Sequence, residues 1–234
     1  MDKIFVICNK NIEIERYENL QKIFDQSNID EKDIELNCKC WSNDIEHIKK
    51  NNNNQIIYDN NLFINLNNSE ISLFINHIEI LKKIKKDYNK GIFLILESDI
   101  IVYPGMEFNI KRFKEIIDMT NTIDNWDIIN IGGSCYDVFV NEGYPKTKPI
   151  IINNSKFYNE KRLICIEALL WNYNSICKFL DLFETYNKNK LNTISDPIDS
   201  ILDNLCSENK LDLYWLFPFS CKQGSNIQYK SWLR

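Results

Sequence analysis

Apolar residues recur along this chain in two rhythms. Lys3 to Cys8 is an almost unbroken apolar string and predicts a first strand, whereas Ile14 to Gln26 has the three-and-four spacing of a helix. Ile34 to Cys40 reads as a second strand of mixed character. From Ser69 to Asp87, the residues Ile71, Phe74, Ile75, Ile78, Leu81 and Ile84 share one helical stripe, with Ser69 as the cap. Gly91 then leads Ile92-Phe93-Leu94-Ile95-Leu96, an apolar run of strand length that predicts burial on both faces and stops at Glu97-Ser98-Asp99. Phe108 to Met119 is helical in pattern, and Trp126 to Ile131 is a short strand halted by Gly132-Gly133. Gly143, Pro145 and Pro149 break the next region into turns and a hairpin. Arg162 to Trp171 reads as extended, Ser175 to Tyr186 as a helix, and Pro197 to Cys206 as a helix with Pro197 in its first turn. Leu211 to Leu216 is the last strand.

Strands alternating with helices through the first half predict an α/β fold, a Rossmann-type, mostly parallel mixed sheet flanked by helices. At 234 residues and 44% hydrophobic content, the chain can bury a full core as one domain over 1–234. The tract Asn51-Asn52-Asn53-Asn54 and the following Tyr58-Asp59-Asn60-Asn61 read as an exposed loop within that domain. The bias toward Asn, Ile and Lys is what an A/T-rich genome produces, as in large DNA viruses, some protists and some bacteria.

A formal net charge of -5 is wrong for a general nucleic-acid binder, which needs a basic surface to displace counterions. No apolar run is long enough to cross a bilayer, and the amino terminus turns polar at Cys8-Asn9-Lys10, too soon for a signal peptide. The expectation is a cytoplasmic protein, in the host cytoplasm if the source is viral. The eight cysteines are scattered, Cys38-Lys39-Cys40 lacks the two-residue gap of a zinc knuckle, and only His47 and His77 could complete such a site. They read as reduced core thiols.

Glu97 and Asp99 end a buried strand, so they stand at the carboxyl edge of the sheet, where open α/β folds bind ligands. Two acids there can hold a hard divalent cation, which bridges the phosphates of a nucleotide-linked substrate. The plainer alternative is that acids follow strands because turns favour Asp. His77 lies beside the apolar stripe of its helix, while His47, among Asp44, Glu46, Lys49 and Lys50, reads as surface. Gly132-Gly133 permits a turn or a close sugar approach.

Five segments occur in a telling order: Phe5-Val6-Ile7, Glu70-Ile71-Ser72-Leu73-Phe74-Ile75-Asn76-His77, Ile95-Leu96-Glu97-Ser98-Asp99, Trp126-Asp127-Ile128-Ile129-Asn130-Ile131-Gly132 and Asp196-Pro197-Ile198-Asp199. In that order they resemble family 25 of the glycosyltransferases, the group of lipopolysaccharide-type β-galactosyltransferases and procollagen galactosyltransferases. The chain departs from the family pattern at Asn76, where Ser is usual, and at Ser98, where the first Asp of a pair is usual. The Gly-Thr pair usual before Ala168 is also missing. The resemblance implies a GT-A fold, a UDP-linked donor such as UDP-galactose or UDP-glucose, manganese or magnesium as cofactor, and inverting transfer to a glycan or glycosylated acceptor.

Within that resemblance, Asp99 is the preferred metal ligand, and Glu97 contacts the cation through water or holds the ribose. The alternation of an extended segment puts residues 97 and 99 on the same side. Asp199 and Asp196 are candidates for the base that deprotonates the acceptor, and Asp127 is a third. Asp196 can equally cap the helix, Asp199 can equally be a surface acid, and Asp127 can be a turn residue. His77 is either a structural histidine or a diphosphate contact. The tail from Pro218 to Gln228 either is exposed or closes on the donor, with Lys222 at the diphosphate and Gln223 at the sugar or nucleotide. Residues 1–133 then form the nucleotide-sugar half and 134–234 the acceptor half. Tyr136, Phe139, Tyr144, Trp171 and Tyr173 are available for sugar stacking, although core packing is the commoner use of such rings. Glycoside hydrolysis also uses two carboxylates, but the order of segments fits a transferase. The remaining alternative is a degenerate, non-catalytic glycosyltransferase fold that binds sugar or assists assembly.

Overall fold

In the computed structural model, which describes residues 1–38, 63, 65–189 and 194–224, the chain forms a mixed α/β fold around one large sheet. The Asn51–Asn54 tract, Tyr58–Asn61, His47, Cys40 and Ser225–Gln228 lie outside the described residues. The strands and helices, in order, are β1 (Lys3–Ile7), α1 (Ile14–Gln26), β2 (Ile34–Asn37), α2 (Asn68–Asp87), β3 (Ile92–Glu97), β4 (Ile100–Ile101) and α3 (Ile110–Thr120). There follow β5 (Ile128–Asn130), α4 (Ser134–Phe139), β6 (Ile150–Ile152), β7 (Ser155–Glu160), β8 (Ala168–Asn172) and α5 (Tyr173–Asn189). The chain continues through α6 (Ile198–Ser207), β9 (Leu213–Phe217) and β10 (Lys222–Gln223).

The eight-stranded sheet has the order β2-β1-β3-β8-β5-β9-β7-β6. β1 pairs in parallel with both β2 and β3, and β5 with β9, whereas β8 runs antiparallel between β3 and β5. β7 runs against β9 and β6, so only β7 and β8 oppose the common direction. Because β8 lies between β3 and β5, segments from before and after residue 133 interleave in one sheet.

Strand alternation sorts the apolar residues into two cores. Phe5, Ile7, Phe93, Ile95, Leu169 and Trp171 pack on one face with α2, α5 and α6. Ile4, Val6, Leu94, Leu96, Ala168 and Leu170 pack on the other with α1 and α3. The central strands therefore read as continuous apolar runs, as sheets covered on both faces do. Among the described residues, no helix is long and apolar enough to cross a membrane.

Several local expectations need correction. α2 is capped by Asn67, not Ser69: the Asn67 side chain accepts from the Ser69 and Glu70 amides, and Glu70 accepts from the Asn67 amide. This reciprocal box satisfies donors that Ser69, already inside the helix, cannot reach. Pro197 is the N-cap of α6 rather than part of its first turn, and as N-cap it makes no side-chain cap hydrogen bond. Arg162 to Glu167 is not a strand; β8 begins at Ala168, after a kink in which Cys165 takes the left-handed conformation at φ 60°. The expected hairpin is β6–β7.

Candidate functional site

β3 stops at Glu97 because the next two residues form a turn rather than a further extended pair, so the alternation expected for residues 97 and 99 ends there. Both acids are nevertheless buried at the carboxyl edge, Glu97 at 8% and Asp99 at 4% exposure. The turn is tied from both sides. Ser98 Oγ donates to Glu13 Oε1 at 2.7 Å, and Arg16 pairs with the same carboxylate at 2.9 Å. Glu13 also accepts the Asn9 amide, which anchors the loop after β1. An Asp at 98 would set its charge against Glu13, so serine at this position suits its neighbour.

Register brings in an acid that sequence reasoning missed. Leu96 pairs with Ala168 across β3 and β8, and the next step outward pairs Glu97 with Glu167, the Glu97 amide donating to the Glu167 carbonyl at 3.0 Å. Cross-strand partners point to the same face. On β5, Asn130 pairs with Leu169, and two residues further each way Gly132 lies against Glu167. A Cβ on Gly132 would be 2.4 Å from Glu167 Oε1, so glycine here makes room for this carboxylate rather than for a sugar. Glu167 is fully buried, and its Oε1 accepts the Ser134 amide at 3.0 Å at the start of α4.

α2 contributes His77 to the same face. Its Nε2 is 3.9 Å from Glu97 Oε1, too far for a hydrogen bond, and only 3% of the residue is exposed. Burial pushes the imidazole down to about 3, so His77 is neutral at physiological pH. Burial holds the Glu97 carboxyl well above the usual range, with the charges of Asp99, Glu167 and Asp199 acting the same way and Arg16 opposing. Burial likewise raises Glu167 to about 7, against the Ser134 hydrogen bond. Asp199, in the first turn of α6, is raised by burial and opposed by the Ser200 amide, and it remains partly exposed.

The tail folds back onto this edge. Ser220 donates its amide to Ile131 O at 2.9 Å, Gly133 donates to Cys221 O at 2.8 Å, and Gly224 donates to Asp99 O at 2.6 Å. β10 pairs antiparallel with β4, directly after Asp99. Gln223 is held through its amide by Ser134 Oγ at 2.8 Å, and Lys222 forms an ion pair with Asp137.

The structure thus gathers Glu97, Asp99, His77, Glu167 and Asp199, with Lys222 and Gln223 on the strand that closes over the turn. Asp127 does not join them. It precedes β5, at the opposite end of the sheet, where Lys178 and Ser175 Oγ hold its carboxylate and the Asp212 amide donates to it at 2.9 Å. Its strand-start position makes it a tie between β5, α5 and the segment leading to β9. Trp171 and Phe139 are core residues, and Tyr136, Tyr144 and Tyr173 pack against the same core.

The acids at this edge, Glu97, Asp99 and Glu167, offer hard carboxylate oxygens, with Arg16 in the Glu13–Ser98 cluster beside them; among the described residues no three His, Cys, Asp or Glu side chains come together closely enough to form a metal-holding group. No protein-family model and no curated protein matches the chain.

Proposed function

We propose that the chain is a nucleotide-sugar-dependent glycosyltransferase that moves a hexose from a UDP-linked donor to a glycan or glycosylated acceptor, with inversion. The observation that carries this reading is the convergence of buried acids at the carboxyl edge of β3 beneath a tail strand hydrogen-bonded to Asp99. The order of segments resembling glycosyltransferase family 25 supports it, and the mixed α/β sheet accommodates a GT-A arrangement.

Asp99 and Glu97 would hold manganese or magnesium, which supplies positive charge for the departing phosphate oxygen. The rest of the chemistry belongs to the chain. Neutral His77 beside Glu97 offers a polar nitrogen without adding charge. β10 covers the edge and excludes water from a donor bound there, with Lys222 and Gln223 as donor contacts. Asp199 is the acid at this edge that is still reached by solvent, so it can accept the acceptor-hydroxyl proton as that oxygen attacks the anomeric carbon. A carboxyl raised above its ordinary range is the better base for this task.

A screen of UDP-sugars for manganese-dependent UDP release tests the reading. Release from one or more donors supports transfer, whereas UDP binding without turnover on any acceptor favours the non-catalytic sugar-binding alternative.

A further inference from the structure

Among the described residues the sheet ends at β2, and a cavity of about 250 Å³ lies between this strand and α1. Tyr17 and Phe24 line it from the helix, Ile34 and Leu36 from the strand, and Asp25 and Glu31 add two carboxylates. No lysine or arginine among the described residues lines it, and Lys32, next to Glu31, is paired with Asp30. Sites for drug-sized ligands run to roughly 300–1,000 Å³, so this cavity suits one or two side chains rather than a nucleotide.

The register leaves the same edge open along the backbone. Asn37 pairs with Ile7, and its carbonyl accepts from the Cys8 amide at 3.3 Å, so the backbone groups of Asn37, and of Glu35 two residues before it, face β1. Ile34 and Leu36 therefore turn their backbone groups outward while their side chains line the cavity. The Ile34 amide is used by the 3-10 turn before β2, where it donates to Glu31 O. The Ile34 carbonyl and the amide and carbonyl of Leu36 stand on the open edge, and Leu36, 36% exposed, carries no charge to keep another strand away.

We infer that β2 takes an added antiparallel strand from a partner protein, with an apolar residue opposite Leu36 and a lysine or arginine two residues further on, opposite Ile34. The first exchanges both backbone bonds with Leu36 and rests its side chain in the cavity against Tyr17. The second donates its amide to the Ile34 carbonyl and brings its charge to Asp25 and Glu31. One face of an extended chain carries both side chains, because residues two apart point the same way. A second copy of this chain is a poorer occupant: its own β2, Ile34-Glu35-Leu36-Asn37, has no base to offer, and pairing would bring four carboxylates to one seam. None of these residues belongs to the carboxyl-edge site, so the inference goes beyond the transfer chemistry and does not depend on it.

The test titrates the whole chain with the capped peptide Thr-Val-Thr-Leu-Thr-Lys-Thr, following backbone amides by NMR, beside the same peptide with Glu for Lys and one N-methylated at its Leu. The lysine peptide is expected to shift the Leu36 amide saturably, with roughly fivefold or more weaker binding for the Glu peptide. N-methylation removes the bond to the Leu36 carbonyl and is expected to weaken binding roughly tenfold. Asp25→Asn combined with Glu31→Gln, both exposed positions, should bring the Lys and Glu peptides to equal affinity while leaving the melting temperature unchanged. Equal affinity of the two peptides for wild type, or no shift at Leu36 from any of them, overturns the proposal. Indifference to N-methylation overturns strand addition. A dimer in sedimentation that Leu36→Arg dissolves gives the edge to a second copy and overturns the proposal as well.

Discussion

Glu97, the last residue of β3, and Glu167, the residue before β8, sit directly opposite each other across an antiparallel pair, with the amide of the first donating to the carbonyl of the second at 3.0 Å. Both are buried and both are raised above the ordinary carboxylate range. Two acids in such positions weaken a fold that has no use for them, because their repulsion acts where water cannot screen it. Burial favours the neutral form of each, the direction in which both carboxyls are shifted.

Gly132 is what lets this arrangement exist. Gly132→Ala would drive a Cβ to 2.4 Å from Glu167 Oε1 and push the carboxylate out of its seat. The expected cost is about 1–3 kcal/mol of stability, as for overpacking elsewhere. Urea unfolding of the variant checks it. An unchanged midpoint would mean that Glu167 swings aside freely and is not fixed by its neighbours.

Asp127 should matter for the fold and not for the chemistry. Asp127→Asn loses the Lys178 ion pair but can still accept from the Asp212 amide, so a stability loss of about 1–3 kcal/mol is expected with near-normal turnover per folded molecule. The comparison needs unfolding curves and transfer rates from one preparation. A hundredfold loss of turnover in stable protein would return Asp127 to the mechanism.

Much of this framework was legible in the sequence because it depends on local periodicity. The helix at Ile14–Gln26 begins and ends where its spacing places it, and the apolar run before Glu97 is a strand buried on both faces. What stayed hidden depends on partners distant in the chain. Glu167 looks like an isolated acid until β8 is inserted between β3 and β5, and nothing in its neighbourhood announces that register. α4 is six residues long, too short to display a helical period, and β4 and β10 are two residues each and exist only because they pair with one another. Asp127 misled because its neighbour Trp126 and the following apolar run fit the family pattern, while the direction of β5 sets which end of the sheet it occupies.

The buried thiols carry a pH dependence of their own. Burial pushes Cys8 and Cys206 up to about 12 from the ordinary thiol value of 9.0, so both stay protonated and unreactive in the folded protein at pH 8. Each keeps its proton when folded and loses it on unfolding above pH 9. Their contribution to stability is therefore full below that pH and declines as the pH rises toward 12, by about 1.4 kcal/mol per pH unit for each thiol. Alkylation followed by peptide mapping should find both silent at pH 8 and labelled once urea is added. Rapid native labelling of either would contradict the burial described for it.

Asp199 is the residue on which transfer itself should depend. Asp199→Asn keeps the size of the side chain and the start of α6 while removing the proton acceptor, so turnover should fall roughly a hundredfold or more. Donor affinity should survive, because the cation and diphosphate contacts lie elsewhere at the edge. Transfer rate and UDP-sugar affinity measured side by side check the split. Near-normal transfer would exclude Asp199 as the base, and loss of both quantities would place it in the donor site instead.

The central claim is that the edge formed by Glu97 and Asp99 binds a nucleoside diphosphate through a divalent cation, and calorimetric titration of UDP into wild type and Asp99→Ala, each with and without manganese, tests it most directly. The account predicts that manganese strengthens UDP binding to wild type and that Asp99→Ala, still folded, loses this enhancement. UDP affinity that is the same in the folded variant as in wild type, with manganese present, would contradict it.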